Sequence, residues 1–136
     1  MHRVLVASIA LAACLATSVA LAASDKIIAN FNSIEPAGVN VSGQITLNAM
    51  PSGETQIHGA LRGLVPGTEY VSFIYSQGTT CASGTPTTQI LQFVANPSGN
   101  ANFTQKVTVS LSQIGSVSVQ RASDKALLAC AAVAQQ

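Results

Sequence analysis

Apolar and polar residues alternate one for one through much of this chain. Val39, Val41, Gly43, Ile45 and Leu47 are set against Asn40, Ser42, Gln44, Thr46 and Asn48, a period of two that predicts a half-buried strand from 39 to 48. Similar stretches recur at 26–32, 54–62, 69–75, 88–95, 101–110, 114–120 and 126–133, which makes eight predicted strands. Turn signals stand between them at Glu35-Pro36-Ala37-Gly38, Pro51-Ser52-Gly53, Pro66-Gly67 and Asn96-Pro97-Ser98-Gly99, where Pro presets φ and Gly accepts positive φ. Strands about ten residues apart, with no long helical pattern after the first two dozen residues, predict an all-β antiparallel sandwich or barrel. Ser112 to Gly115 reads equally as a strand lead-in or a short helical turn. The alanine-rich stretch from Ala126 has high helix propensity but is read as a core strand, with Leu128, Cys130 and Ala132 on one face.

The first residues follow a different rule. Arg3 precedes an apolar run from Val4, and the run closes on Ala20-Leu21-Ala22 before Ala23-Ser24-Asp25-Lys26. A positive start, an apolar stretch and an Ala-x-Ala site predict a secretory signal peptide over 1–22, cleaved between Ala22 and Ala23, with a single β-sandwich domain over 23–136. A transmembrane anchor is the rival reading, because the run is nearly long enough to span a bilayer. Leu11-Ala12-Ala13-Cys14 is a second rival, a lipoprotein attachment box, although the apolar run continues past Cys14 where a polar tether is expected. The localisation expected is export, periplasmic or secreted, with no membrane span after cleavage.

Cleavage changes the cysteine arithmetic. Three cysteines are an odd count, but Cys14 departs with the leader and Cys81 and Cys130 are left. An oxidising compartment makes a disulfide their default state, with two buried free thiols as the alternative. A redox-active pair needs a local Cys-x-x-Cys, which is absent.

The charge balance then becomes even, with Lys26, Arg62, Lys106, Arg121 and Lys125 against Asp25, Glu35, Glu54, Glu69 and Asp124. With 8% charged and 48% hydrophobic residues, neither a nucleic-acid footprint nor a disordered polyelectrolyte fits. Net charge near zero offers no evident long-range steering of a charged ligand. The surface must be built from Ser, Thr, Asn, Gln and Gly.

Candidate chemistry is sparse. After the leader His58 is the one histidine, and alternation places it with Gln56, Ala60 and Arg62 on the solvent face opposite Ile57 and Leu61. No Gly-x-Ser-x-Gly elbow accompanies it. A zinc or copper site needs three or four His, Cys or carboxylate ligands, and no Asp-rich calcium loop or phosphate-binding Gly-rich loop is present. Tyr70 and Tyr75 are five apart, so one strand points them to opposite faces and they cannot form a joint sugar-stacking platform. No catalytic residue, metal ligand or cofactor is therefore assigned.

Gly59-Ala60-Leu61-Arg62-Gly63-Leu64-Val65-Pro66-Gly67, Gly78-Thr79-Thr80-Cys81, Gly99-Asn100-Ala101, Ile114-Gly115 and Leu128-Ala129-Cys130 together resemble the copper/zinc superoxide dismutase pattern, in the same order and over roughly 39–133. The resemblance implies an eight-stranded Greek-key sandwich of the immunoglobulin-like class, with a disulfide from the loop after the fourth strand to the last strand. It does not bring the chemistry with it. The copper-binding His-x-His of the fourth strand is met by Ser72 and Ile74 in one register and by Phe73 and Tyr75 in the other. The later histidine is met by Gln120 or Arg121, the guiding arginine by Leu127, and only six residues stand between Cys81 and Thr88 where the zinc loop would lie.

The function expected is a non-catalytic exported protein with a binding or structural role at the cell envelope or outside the cell. Its partner would be an unknown envelope or extracellular protein, and homodimerisation is open. A metal-dependent dismutase or copper-handling protein with ligands supplied by a partner is the alternative. A self-assembling surface or coat protein is a further one, because near-zero charge and long strands favour edge pairing.

Overall fold

The computed structural model describes residues 25–34 and 40–133. The signal-peptide reading, its cleavage point at Ala22 and Ala23, Cys14 and the turn at Glu35 lie outside the described residues.

All eight predicted strands form: β1 (Lys26–Ser33), β2 (Ser42–Ala49), β3 (Thr55–Arg62), β4 (Glu69–Ser76), β5 (Thr88–Val94), β6 (Ala101–Val107), β7 (Ile114–Arg121) and β8 (Leu127–Ala132). They make one antiparallel sheet in the order β5-β4-β7-β8-β1-β2-β3-β6. The sheet curls until its two end strands, β5 and β6, meet across a seam without a ladder. The β3 to β4 and β6 to β7 connections jump between strands that are not neighbours, which is Greek-key connectivity.

Alternation puts Ile45 and Leu47 of β2, Ile57 and Leu61 of β3, Ile74 of β4 and Val117 and Val119 of β7 into the enclosed core. Three rings bridge the seam from the inside: Tyr70 of β4 stacks on Phe93 of β5 at 5.8 Å, and Phe93 meets Phe103 of β6 at 5.4 Å. Gly59, directly opposite Phe103 in the β3–β6 ladder, makes room for that ring, because a Cβ at Gly59 would stand 2.4 Å from its tip. The chain leaves β3 through Gly63, at φ +78 and with the Asn40 carbonyl 2.1 Å from where a Cβ would be. Only glycine satisfies both demands.

Three expectations are corrected. The strand predicted from Val39 begins at Ser42, because its ladder partner β3 ends at Arg62, opposite Ser42. The strand predicted to Ser110 ends at Val107, opposite Thr55, the first residue of β3. Ser110 then starts a single 3-10 turn, Leu111–Gln113, so the segment left open in the sequence is helical up to Gln113 and strand from Ile114. In β8 the inward face is Ala129 and Ala131 with Leu128, continued by Val133 just past the strand, not Leu128, Cys130 and Ala132. The cause is a register shift: Val119 pairs with Ala129 but Gln120 pairs with Leu127, so Leu128 is an extra residue that the strand turns inward. Such a bulge resets the face of everything beyond it.

Candidate functional site

The residues that face outward from β1, β2, β3 and β6 stand in rows across the sheet. Asn30, Gln44, Ala60 and Asn102 are aligned in register, and Ile28, Thr46, His58 and Thr104 form the next row. At about 4.8 Å between strands, one row spans about 14 Å. Ala60 is the short member of the first row. Its methyl, with Gly43 behind it, leaves a trough of about 450 Å³ flanked by Asn30 and Gln44 on one side and by Asn100 and Asn102 on the other, with Arg62 at one end.

The trough is polar and only partly self-satisfied. Gln44 Nε2 donates to Asn30 Oδ1 at the long distance of 3.5 Å. Arg62 Nε donates to Ser42 Oγ at 3.2 Å, and Arg62 meets no carboxylate among the described residues. Strands β1, β2, β3 and β6 carry Lys26, Arg62 and Lys106 and no acidic residue at all. The charged residues of these four strands are thus all cationic in a chain whose net charge is only +1, with Asp25 and Glu54 standing just before β1 and β3. His58 is exposed on this face as alternation predicts, with Gln56, Ala60 and Arg62 beside it and Ile57 and Leu61 buried. Its Nδ1 is hydrogen-bonded to Thr104 Oγ1.

The outer face of β4, β7 and β8 is built differently. Here Tyr75, Ser116, Ser118 and Gln120 point away from the core yet are buried, at 2%, 1%, 0% and 8% exposure. Cys130 stands opposite Ser118 and is bonded to Cys81 with the Cα atoms 5.9 Å apart, which ties the 77–87 connection over this face. Ser116 Oγ donates to the Thr79 carbonyl of that connection at 3.3 Å, and Gln120 Nε2 donates to Tyr75 Oη at 3.0 Å. The Ser118 hydroxyl is buried without a partner. Lys125, at φ +58, holds its ammonium 5.8 Å from the Phe73 ring centre.

Of the two registers open for β4, Ile74 faces the core, and Ser72 is fully buried with its Oγ donating to the Ser118 carbonyl at 2.7 Å. Phe73 and Tyr75 face outward beside Ser118 and Ser116. Tyr70 is in the core and Tyr75 on the outer side, so the two tyrosines are indeed on opposite faces. Among the described residues no three His, Cys, Asp or Glu side chains gather into a group able to hold a metal ion. No helix among them is long and apolar enough to cross a membrane.

The sequence named Arg62 only as a solvent-facing neighbour of His58 and left the trough unassigned. Its signal was present in two parts: Asn and Gln at alternate strand positions, and the lack of acids in four of the strand segments. Register is what joins them. No family model matches this chain, and no curated protein matches it.

Proposed function

We propose that this protein is a non-catalytic exported β-sandwich, of the superoxide-dismutase-like kind, that works by binding at the cell envelope or outside the cell. The observation that carries the reading is the closed Tyr75–Gln120 pair. In one of the two registers the resemblance allows, Tyr75 takes the place of a copper-binding histidine of β4, and Gln120 is one of the two residues that meet the later one; each spends its polar group on the other, at 3.0 Å, in a buried setting. Copper redox cycling depends on imidazole ligands in a set geometry, which a phenol and a carboxamide bound to each other do not supply. Phe73 fills the neighbouring outward position of β4, and Leu127 stands where the guiding arginine would.

The cyclic strand order, with β5 and β6 in contact at the seam, and the Cys81–Cys130 bond from the connection after the fourth strand to the eighth support the same kinship. A binding role is favoured by the open trough on the outer face of the other strands, β1, β2, β3 and β6. The test is superoxide decay with copper-loaded protein, together with metal content after native purification. Decay at the free-copper background and substoichiometric metal are expected. A faster rate abolished by a chelator overturns the reading.

A further inference from the structure

We infer that the trough at Ala60 binds an acidic saccharide, a sugar chain bearing carboxylates. This rests on the reading of the protein as a binding module and names its ligand class.

Three features of the trough converge on that chemistry. The carboxamides of Asn30, Gln44, Asn100 and Asn102 line it, and each carries both a donor and an acceptor in one plane. A ligand dense in hydroxyl groups, which also donate and accept, pairs with all four. Three of those amides, Asn30, Gln44 and Asn102, stand on strands of one four-strand ladder and Asn100 immediately precedes β6, so their backbone spacing is fixed before binding and little ordering cost is incurred. A volume of about 450 Å³ lies within the range of small-ligand sites.

Charge then selects among hydroxyl-rich ligands. No aromatic ring lines the trough, so a neutral sugar would find no stacking surface here, and affinity must come from charge-assisted hydrogen bonds, roughly twice as strong as neutral ones. Arg62 supplies them. Its Nε is occupied by Ser42, which orients the guanidinium, and no carboxylate among the described residues competes for its remaining N–H groups. The planar guanidinium fork matches a carboxylate in bidentate fashion. Because the four surrounding strands contribute Lys26 and Lys106 and no acid, a further carboxylate along the sugar chain meets no repulsion from them. A peptide strand is disfavoured by position. The trough centres on the face of β2 and β3, whose backbone N–H and C=O groups are laddered on both sides, and the unladdered edge of β6 is turned to β5 at the seam.

The test is titration of the purified protein with tri-galacturonate at low salt, followed by calorimetry and by the side-chain amide signals in NMR. Binding is expected to shift the amide signals of Asn30, Gln44, Asn100 and Asn102 and to weaken as salt is added. Arg62→Gln should weaken binding by about tenfold or more, and Ala60→Gln, which fills the trough from an exposed position, should abolish it while the circular dichroism spectrum stays unchanged. An uncharged trisaccharide of glucose should bind at least tenfold more weakly than the uronate. The proposal is overturned by absence of binding up to about 10 mM, by equal binding of the neutral sugar, by equal displacement with inorganic phosphate, or by indifference to both substitutions. These outcomes are separate from the superoxide and metal measurements on the same preparation. A protein without dismutase activity that ignores tri-galacturonate refutes the ligand class alone.

Discussion

On β1, β2, β3 and β6 the outward side chains are largely open to water, whereas on β4 and β7 they point the same way and most are buried, with the 77–87 connection tied over them at Ser116 and Cys130. Both faces are rich in uncharged polar groups. The first leaves Asn30, Gln44, Asn100 and Asn102 around a trough; the second closes Tyr75 on Gln120 and Ser116 on Thr79, under the Cys81–Cys130 bond. The lesson is that polarity alone does not mark a binding surface. What matters is whether the polar groups have already found each other, since each buried donor or acceptor left unpaired, as at Ser118, costs stability.

The largest effect should come from removing the tether of the covered face. Cys81 and Cys130 close a loop of 49 residues, and losing that constraint should cost about 4 kcal/mol in the chain-entropy account. For a domain of this size the melting temperature should fall by about 20 °C. Calorimetry of Cys81→Ala with Cys130→Ala against the parent measures it. A drop of only a few degrees would mean that the connection is held by its own hydrogen bonds, such as Thr87 N–H to the Ile74 carbonyl at 2.8 Å.

Next in size is the Tyr75–Gln120 pair. Tyr75→Phe leaves a nearly buried carboxamide without its acceptor, which should destabilise by about 2 kcal/mol in urea denaturation. Adding Gln120→Leu removes the orphaned group and should restore part of the loss, a coupling that a double-mutant cycle reads directly. Additive losses would mean that the two side chains act independently, and the covered face would then be less of a unit than its geometry implies.

Most of the strand layout was legible because alternation is a local property. Ile57, His58, Ala60, Leu61 and Arg62 all lie on the faces their positions predict. Errors fell where a partner strand decides. β2 starts at Ser42 because β3 ends at Arg62, and β8 turns Ala129 and Ala131 inward because one residue, Leu128, is inserted against β7. The trough was illegible for the same reason. Asn30, Gln44, Ala60 and Asn102 come from four strands that span more than 70 positions, and only the registers of three ladders bring them into one row. The near-zero net charge likewise concealed that the acids are all outside those four strands.

A smaller change should go the other way. Ser118 carries a hydroxyl that is fully buried and has no partner, so Ser118→Ala should stabilise by about 1 kcal/mol. Its backbone carbonyl already accepts from Ser72 Oγ and is untouched by the substitution. Loss of stability instead would reveal an ordered water satisfying the hydroxyl beneath the disulfide.

The smallest effect on stability should be at Arg62, and its smallness is what separates the two faces. Its guanidinium is exposed and makes one hydrogen bond, to Ser42 Oγ at 3.2 Å, so Arg62→Gln should change the unfolding free energy by no more than about 0.5 kcal/mol. Asn102→Ala, also on the exposed side of its strand, should behave alike. Urea denaturation of both variants checks this. Residues retained for folding should cost stability when truncated, as Tyr75 should; residues positioned for a ligand should cost affinity and leave the fold intact. A loss near 2 kcal/mol at Arg62 would place it with Tyr75 among the groups that hold the sheet together, and the trough would then be a by-product of the small Ala60 side chain and not a site.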